Sequence, residues 1–385
     1  MTTSTERPAE VGPGTADSKQ PAVTRIDSDC HPYMFEADLM PYVSERWRRY
    51  VDRIGLRQQA AFGLTIGAHP LAARTDAWGP NGELPGTDPA FFASQLMDQH
   101  GIDIAILNSQ VMQSQAFMGP GIPRELVTEL MRATNRQESE VWLDADARYR
   151  GAICLPFENP EACVEEIERC AADRRFVQIL LPFRTLDPFG SQKYWPIFEA
   201  AVAHDLPISL HPAAQHVITG SGWQSFYYEH HTALPTVLLP QMASLVFEGT
   251  FDRFPTLQIL FQEGGWSWVP AFLWRLDHTY GLLREEIPSL QRRPSDYVRD
   301  HFWFTTQPME EPDRPDQFTE MHQQWEEAGL GSRLMFSSDY PHWDFDAPDI
   351  AVPRSLSDDA RRRLFLTNAA TCYRRLDLTP EGLSR

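Results

Sequence analysis

Short apolar runs alternate along this chain with longer stretches of helical periodicity. Eight runs read as strands: Thr24 to Asp29, Ile102 to Asn108, Tyr149 to Leu155, Phe176 to Leu181, Pro207 to His211, Leu257 to Glu263, Phe302 to Gln307 and Arg333 to Asp339. Between them, Pro160 to Ala172 places Ala162, Cys163, Ile167, Cys170 and Ala171 at helical spacing, and Tyr194 to His204 does the same with Trp195, Ile197, Phe198, Ala201 and Val202. Alternating strands and helices imply parallel pairing through right-handed crossovers, and eight such units close into an α/β (β/α)8 TIM barrel. The alternative, an open doubly wound sheet, calls for a Gly-rich phosphate loop after the first strand, and none follows it.

Two intervals are longer than one helix requires, so long inserts are expected after strands 1 and 5. Pro32 to Gln99 concentrates Pro and Gly between Gly67 and Pro89. Pro212 to Phe254 carries Trp223, Phe226, Tyr227, Tyr228, His230 and His231, and its aromatic content suits a lid over a pocket. Residues 1–22 lack both large apolar side chains and the apolar core of a signal peptide, and are expected to form a disordered N-terminal lead. The expected domain runs over 23–378, with a C-terminal tail at 379–385.

The 385 residues, 42% hydrophobic, supply ample core for a domain of this size. A net charge of -19 argues against a nucleic-acid partner, because phosphate binding relies on concentrated Lys and Arg. No apolar stretch is long enough to span a membrane, so no membrane partner is expected. The five cysteines, Cys30, Cys154, Cys163, Cys170 and Cys372, are odd in number and form no CxxC pair. They fit a reducing cytoplasm and indicate neither a disulfide framework nor a thiolate zinc knuckle.

Chemistry in such a barrel gathers at the carboxyl ends of the strands. The first run ends in Ile26-Asp27-Ser28-Asp29-Cys30-His31-Pro32, where the period-two rule puts Asp29 and His31 on one face and turns Cys30 into packing. The fifth run ends in His211, the sixth in Glu263 and the eighth in Asp339, with His342 three residues on. Separate strands ending in metal-type ligands predict a divalent metal site of oxygen and nitrogen donors, suited to Zn, Mn or Fe. Zn is the first expectation, with one or two ions per chain.

Several segments resemble the amidohydrolase-related family, the aminocarboxymuconate-semialdehyde decarboxylase-like metal-dependent hydrolases. They are Gly249-Thr250-Phe251-Asp252-Arg253-Phe254-Pro255, Glu263-Gly264-Gly265-Trp266-Ser267-Trp268-Val269-Pro270, Arg275-Leu276-Asp277, Ser337-Ser338-Asp339-Tyr340-Pro341-His342 and Asn368-Ala369-Ala370. The resemblance extends from Arg25 to about Leu376 and implies an amidohydrolase-like barrel. It also implies that Asp29 and His31 are first-strand metal ligands, with an acid in place of the first histidine of the usual His-x-His. His211 matches the fifth-strand ligand, and Asp339 the eighth-strand acid that binds metal or handles a proton. Decarboxylase members of the family carry a histidine, implicated in proton transfer, where this chain has Glu263.

The expected activity is metal-dependent hydrolysis or C–C bond cleavage of decarboxylase or lyase type, on a small, carboxylated, partly apolar molecule. Asp339 or Glu263 would act as acid or base, and His342 would orient substrate or stabilise an oxyanion. Arg184 could hold a substrate carboxylate or sit in a surface salt bridge; Trp223 and Tyr227 would line the pocket from the lid. A second expectation, a dinuclear Fe or Mn oxygenase, follows from the carboxylates Asp29, Glu263 and Asp339 beside His31 and His211, with His216, His230 and His231 as further nitrogen donors. A third is a catalytically silent barrel paired with a homologous subunit. Homo-oligomers are expected otherwise.

Overall fold

A computed structural model describes residues 24–55, 72–111, 122–212 and 226–378. The expected lead and tail lie outside the described residues. Eight parallel strands follow one another in chain order: β1 (Ile26–Cys30), β2 (Ile104–Leu107), β3 (Tyr149–Cys154), β4 (Phe176–Pro182), β5 (Ile208–His211), β6 (Ile259–Phe261), β7 (Phe302–Thr305) and β8 (Leu334–Met335). Backbone bonds close the ring. Ser28 N–H donates to Phe336 O at 3.1 Å, Asp339 N–H to Asp29 O at 3.0 Å and His31 N–H to Tyr340 O at 2.7 Å. The fold is therefore the closed (β/α)8 barrel and not the open sheet.

The strand sequences explain the burial. β4 reads Phe-Val-Gln-Ile-Leu-Leu-Pro, apolar almost throughout because both faces of a barrel strand are covered. The helix Pro160–Ala171 starts where the Asn159 side chain accepts the Ala162 N–H at 3.4 Å, with Pro160 in the first turn. Glu166 is buried beside its apolar stripe, which is Ala162, Cys163, Ile167, Cys170 and Ala171. These are the positions the periodicity picks out. Helix Trp195–Ala203 likewise falls inside its expected range.

The apolar interior divides in two. The larger part packs the outer faces of the strands against the helices. A separate cluster fills the amino end of the barrel with Ile26, Ile104, Ile106, Val177, Leu260, Trp303 and Met335, closed by Leu366, Ala369, Cys372, Tyr373 and Leu376 from the last helical turns. All five cysteines are free and buried. Among the described residues no helix is long and apolar enough to cross a membrane.

Both inserts reach the carboxyl end of the barrel in their described parts. In the first, Ala73 bridges to His342, Arg74 N–H donates to Pro341 O at 2.9 Å, and Tyr33 N–H donates to Gly86 O at 2.7 Å. Gly86 has φ +70°, and a Cβ there would lie 2.7 Å from His31 O, so the backbone can cover β1 only at a glycine. In the second, helix Tyr227–Thr232 is followed by helix Pro235–Phe247, whose first turns lie against the carboxyl ends of β4 and β6. Leu238 packs where a Cβ on Gly264 would stand, which gives the Glu263-Gly264-Gly265 motif a packing reason.

Candidate active site

Asp29 and His31 are fully buried at the end of β1, while Cys30 between them joins the outer core, as alternation requires. His211 is the last residue of β5. The runs around Glu263 and Asp339 are shorter than expected, because the strands stop before reaching either acid. Glu263 has φ 48° and Asp339 φ 59°, left-handed conformations that no strand residue holds. Such a backbone costs a non-glycine residue roughly 1–3 kcal/mol and concentrates at functional sites.

These side chains meet. Asp29, His31, His211 and Glu263 each bring one ligand atom to within 4.8 Å of the others, and His31, Glu263, Asp339 and His342 form a second such set. His31 Nε2 lies 3.2 Å from Asp29 Oδ1, 2.7 Å from Asp339 Oδ1 and 3.9 Å from Glu263 Oε1. His211 Nε2 lies 3.5 Å from both Asp29 Oδ2 and Glu263 Oε2.

Whether these residues could hold a cation is tested by their remaining contacts. His31 Nδ1 lies 3.0 Å from Asn108 O, and His211 Nδ1 lies 3.1 Å from Pro212 O. A carbonyl only accepts, so each Nδ1 carries a proton and each Nε2 faces the cluster, as in an imidazole that ligates through one nitrogen and is oriented through the other. Asp29 Oδ2 and His211 Nε2 are buried and make no hydrogen bond among the described residues. Burial disfavours a charged His211, but the Glu263 and Asp29 carboxylates prevail and push it up to about 9. The field at that point favours positive charge, and the donor set fits a divalent ion.

A hydrogen-bonded floor that sequence reasoning missed supports the cluster. Asn108 Nδ2 donates to Asp29 Oδ1 at 2.7 Å and to Gln262 Oε1 at 3.1 Å, and Asn108 Oδ1 accepts from Gln178 Nε2 at 2.6 Å. Gln262 Oε1 also accepts from Ser209 Oγ, and its Nε2 donates to Ser28 O at 2.7 Å. One available signal was Gln178, a polar residue inside an otherwise apolar strand.

On the other side, His342 Nδ1 lies 2.6 Å from Asp339 Oδ1, and its Nε2 lies 2.8 Å from the Tyr33 hydroxyl. Burial would raise Asp339 and lower His342, but their mutual attraction prevails. His342 is held well above its ordinary value, and Asp339, with His31 adding to the effect, is held low. The proton of this pair therefore resides on the imidazole. Gln307 Nε2 donates to Asp339 Oδ2 at 3.0 Å and to Asp344 Oδ2 at 2.8 Å.

His231, offered as a further ligand, lies in neither set. Its Nε2 pairs with Asp344 Oδ2 at 3.0 Å and so ties the lid helix to the mouth. Arg184 is 6% exposed, which corrects the surface ion-pair alternative, and it makes no salt bridge among the described residues. Trp223, like His216, lies outside the described residues, and of Tyr227 the structure describes only its place at the start of a helix.

The amidohydrolase family profile matches residues 26–375. Gamma-resorcylate decarboxylase of Rhodococcus jostii is 29% identical over 304 residues, 73% of this chain and 86% of that protein. The enzyme of the same name from Polaromonas sp. is 26% identical over 299 residues, again 73% and 86%. Among solved structures, 5-carboxyvanillate decarboxylase from Sphingomonas paucimobilis superposes with a TM-score of 0.66 at 21% identity, covering 92% of this chain and 99% of that one. Dihydroxybenzoic acid decarboxylase from Polaromonas sp., with bound manganese and 2-nitroresorcinol, gives 0.63 at 22% identity, covering 94% and 100%.

Proposed function

Because the chain belongs to the amidohydrolase family, we propose that it is a metal-dependent lyase that removes carbon dioxide from a small aromatic carboxylic acid. The observation that carries this reading is the convergence of Asp29, His31, His211 and Glu263 on one buried point at the carboxyl mouth, beside a carboxylate–imidazole pair. In this reading those four residues hold the ion, and Mn(II), present in the Polaromonas structure, is the first ion to test, ahead of zinc. A bound divalent cation would supply Lewis-acid charge that fixes and polarises the oxygens of an acidic substrate.

The chain's own residues supply the rest. Decarboxylation replaces a carboxyl group by a proton, and with Glu263 in place of a histidine that proton comes from elsewhere in the site. His342 holds one on Nδ1, facing Asp339 Oδ1, and Tyr33 stands at the far nitrogen of the imidazole to steady or replenish it. The amide floor of Asn108, Gln178 and Gln262 fixes the orientation of Asp29.

The test is to load the full chain with Mn(II), incubate it with 2,6-dihydroxybenzoate and with 5-carboxyvanillate, and follow carbon dioxide and the decarboxylated phenol. Turnover of either supports the reading. Metal-loaded protein that turns over neither overturns the proposed substrate class. A second reading, an oxygenase with two Fe or Mn ions, draws on a separate observation, the two ligand sets that share His31 and Glu263. Two ions per chain in anaerobically prepared protein would favour it, and one would exclude it.

A further inference from the structure

Arg184 lies just past β4. That strand is in register with β5, pairing Pro182 with His211 and Leu180 with Ser209. The Phe183 N–H continues the ladder to His211 O at 3.0 Å. Paired residues of parallel strands share a face, so Arg184 follows Leu180 and Pro182 on the side of the barrel that carries His211. It stands two residues farther toward the mouth, about 7 Å at strand rise.

The chain on both sides of Arg184 is held fast. Gln241 Nε2 donates to Phe183 O at 2.9 Å and to Thr185 Oγ1 at 3.2 Å, and Gln241 Oε1 accepts the Phe189 N–H at 2.8 Å. The guanidinium has no such support. It is 6% exposed, its Nε and Nη1 make no hydrogen bond among the described residues, and no carboxylate there pairs with it. The Phe183 ring, 5.1 Å away, gives it a face to lie against but no acceptor. Burial lowers its pKa to about 10, which leaves it charged at neutral pH. Buried charges are as a rule paired, and the planar fork of an arginine matches a carboxylate.

We infer that Arg184 is a second anionic subsite: it holds an acidic oxygen pair of the substrate other than the group engaged by Asp29, His31, His211 and Glu263, so that the substrate is a dianion such as an aromatic dicarboxylate. This rests on the lyase reading above and deepens it. Asp29, His31, His211 and Glu263 would take one acidic group through a bound cation. The arginine takes the other, nearer the mouth, and sets the direction in which the ring enters.

The test uses the Mn-loaded full chain and two probes, benzoate and isophthalate, with affinities measured by calorimetry. Isophthalate is expected to bind at least about tenfold more tightly, the worth of one charge-assisted pair. Arg184→Gln is expected to abolish that preference while leaving benzoate affinity and manganese content within about twofold, and Arg184→Lys to retain part of it. Because Arg184→Gln removes an unpaired buried charge, its melting temperature is expected to be no lower than that of the parent. Equal affinities for the two probes in the parent protein overturn the inference, whether or not a variant folds. A preference that survives in Arg184→Gln does so too. Failure of the lyase reading shows separately, as manganese that does not bind or benzoate that does not compete at the cluster.

Discussion

At the amino end of the barrel Ile26, Ile104, Ile106, Val177, Leu260, Trp303 and Met335 fill the interior with apolar side chains. At the carboxyl end the same strands and their extensions supply Asp29, Asn108, Gln178, Gln262, Gln307 and Asp339, all buried and joined by hydrogen bonds. Each strand therefore changes character along its length. The lower half gains stability from apolar burial, about 25 cal/mol for each Å² removed from water. The upper half gathers like charges that stabilise the fold only when something cationic stands among them. Damage to one end should therefore leave the other end's property intact.

The largest expected effect is at the upper end. Asp29→Ala removes the carboxylate that faces both His31 and His211. Retained metal after dialysis is expected to fall from stoichiometric to near zero, a larger loss than the roughly 10–100-fold typical of residues that only support ligands. The variant should still fold, because the lower cluster is untouched. Metal content by elemental analysis, read beside a far-UV spectrum, checks both halves of the statement. Unchanged metal content would remove Asp29 from the ligand set.

At the lower end, Leu260→Ala leaves a cavity in the apolar plug. Its cost is expected to be about 2–5 kcal/mol, seen as a lower denaturant midpoint at unchanged slope. Metal content and the affinity for manganese should stay at the parent level. A loss of metal in proportion to the loss of stability would show that the two ends are one cooperative unit at the site, and the contrast would fail.

Much of the upper end was legible in the sequence because ligands at strand ends need only strand count and parity to be placed. Asp29, His31, His211, Glu263 and Asp339 are found together on that basis. Asn108 and Gln262 went unnoticed because an amide is informative only once its partners are known, and their contacts span 79 and 154 residues. The expected runs to Glu263 and Asp339 overshoot β6 and β8, because an apolar run does not show that these acids take left-handed backbones. His231 is placed near the mouth by sequence but its partner is not, because only the placement of helix Tyr227–Thr232 sets its Nε2 against Asp344 and outside the ligand sets. The lower plug has a similar blind spot: Leu366, Ala369 and Tyr373 reach the barrel floor from the far end of the chain, beyond the last strand.

The smallest expected effect tests whether burial alone keeps an acid uncharged in this fold. Glu138 lies outside the mouth, fully buried, accepting the Ser109 hydroxyl at 2.6 Å and the Ala152 N–H at 3.1 Å. Burial outweighs both bonds and raises its pKa from 4.5 to about 8, whereas Asp339, equally buried but facing two imidazoles, is held low. The folded chain thus keeps a proton on Glu138 that the unfolded chain releases. The corresponding stability is complete below about pH 4.5, declines as the pH rises from there to about 8, and is then flat. Glu138→Gln can keep both contacts without a titrating proton, its Oε1 accepting the Ala152 N–H and its Nε2 donating to Ser109 Oγ. It is expected to match the parent in melting temperature near pH 5 and to exceed it by about 3–5 °C at pH 8.5. A pH-independent difference would mean that Glu138 stays ionised without a cation beside it, and the three carboxylates at the mouth would then no longer argue for one.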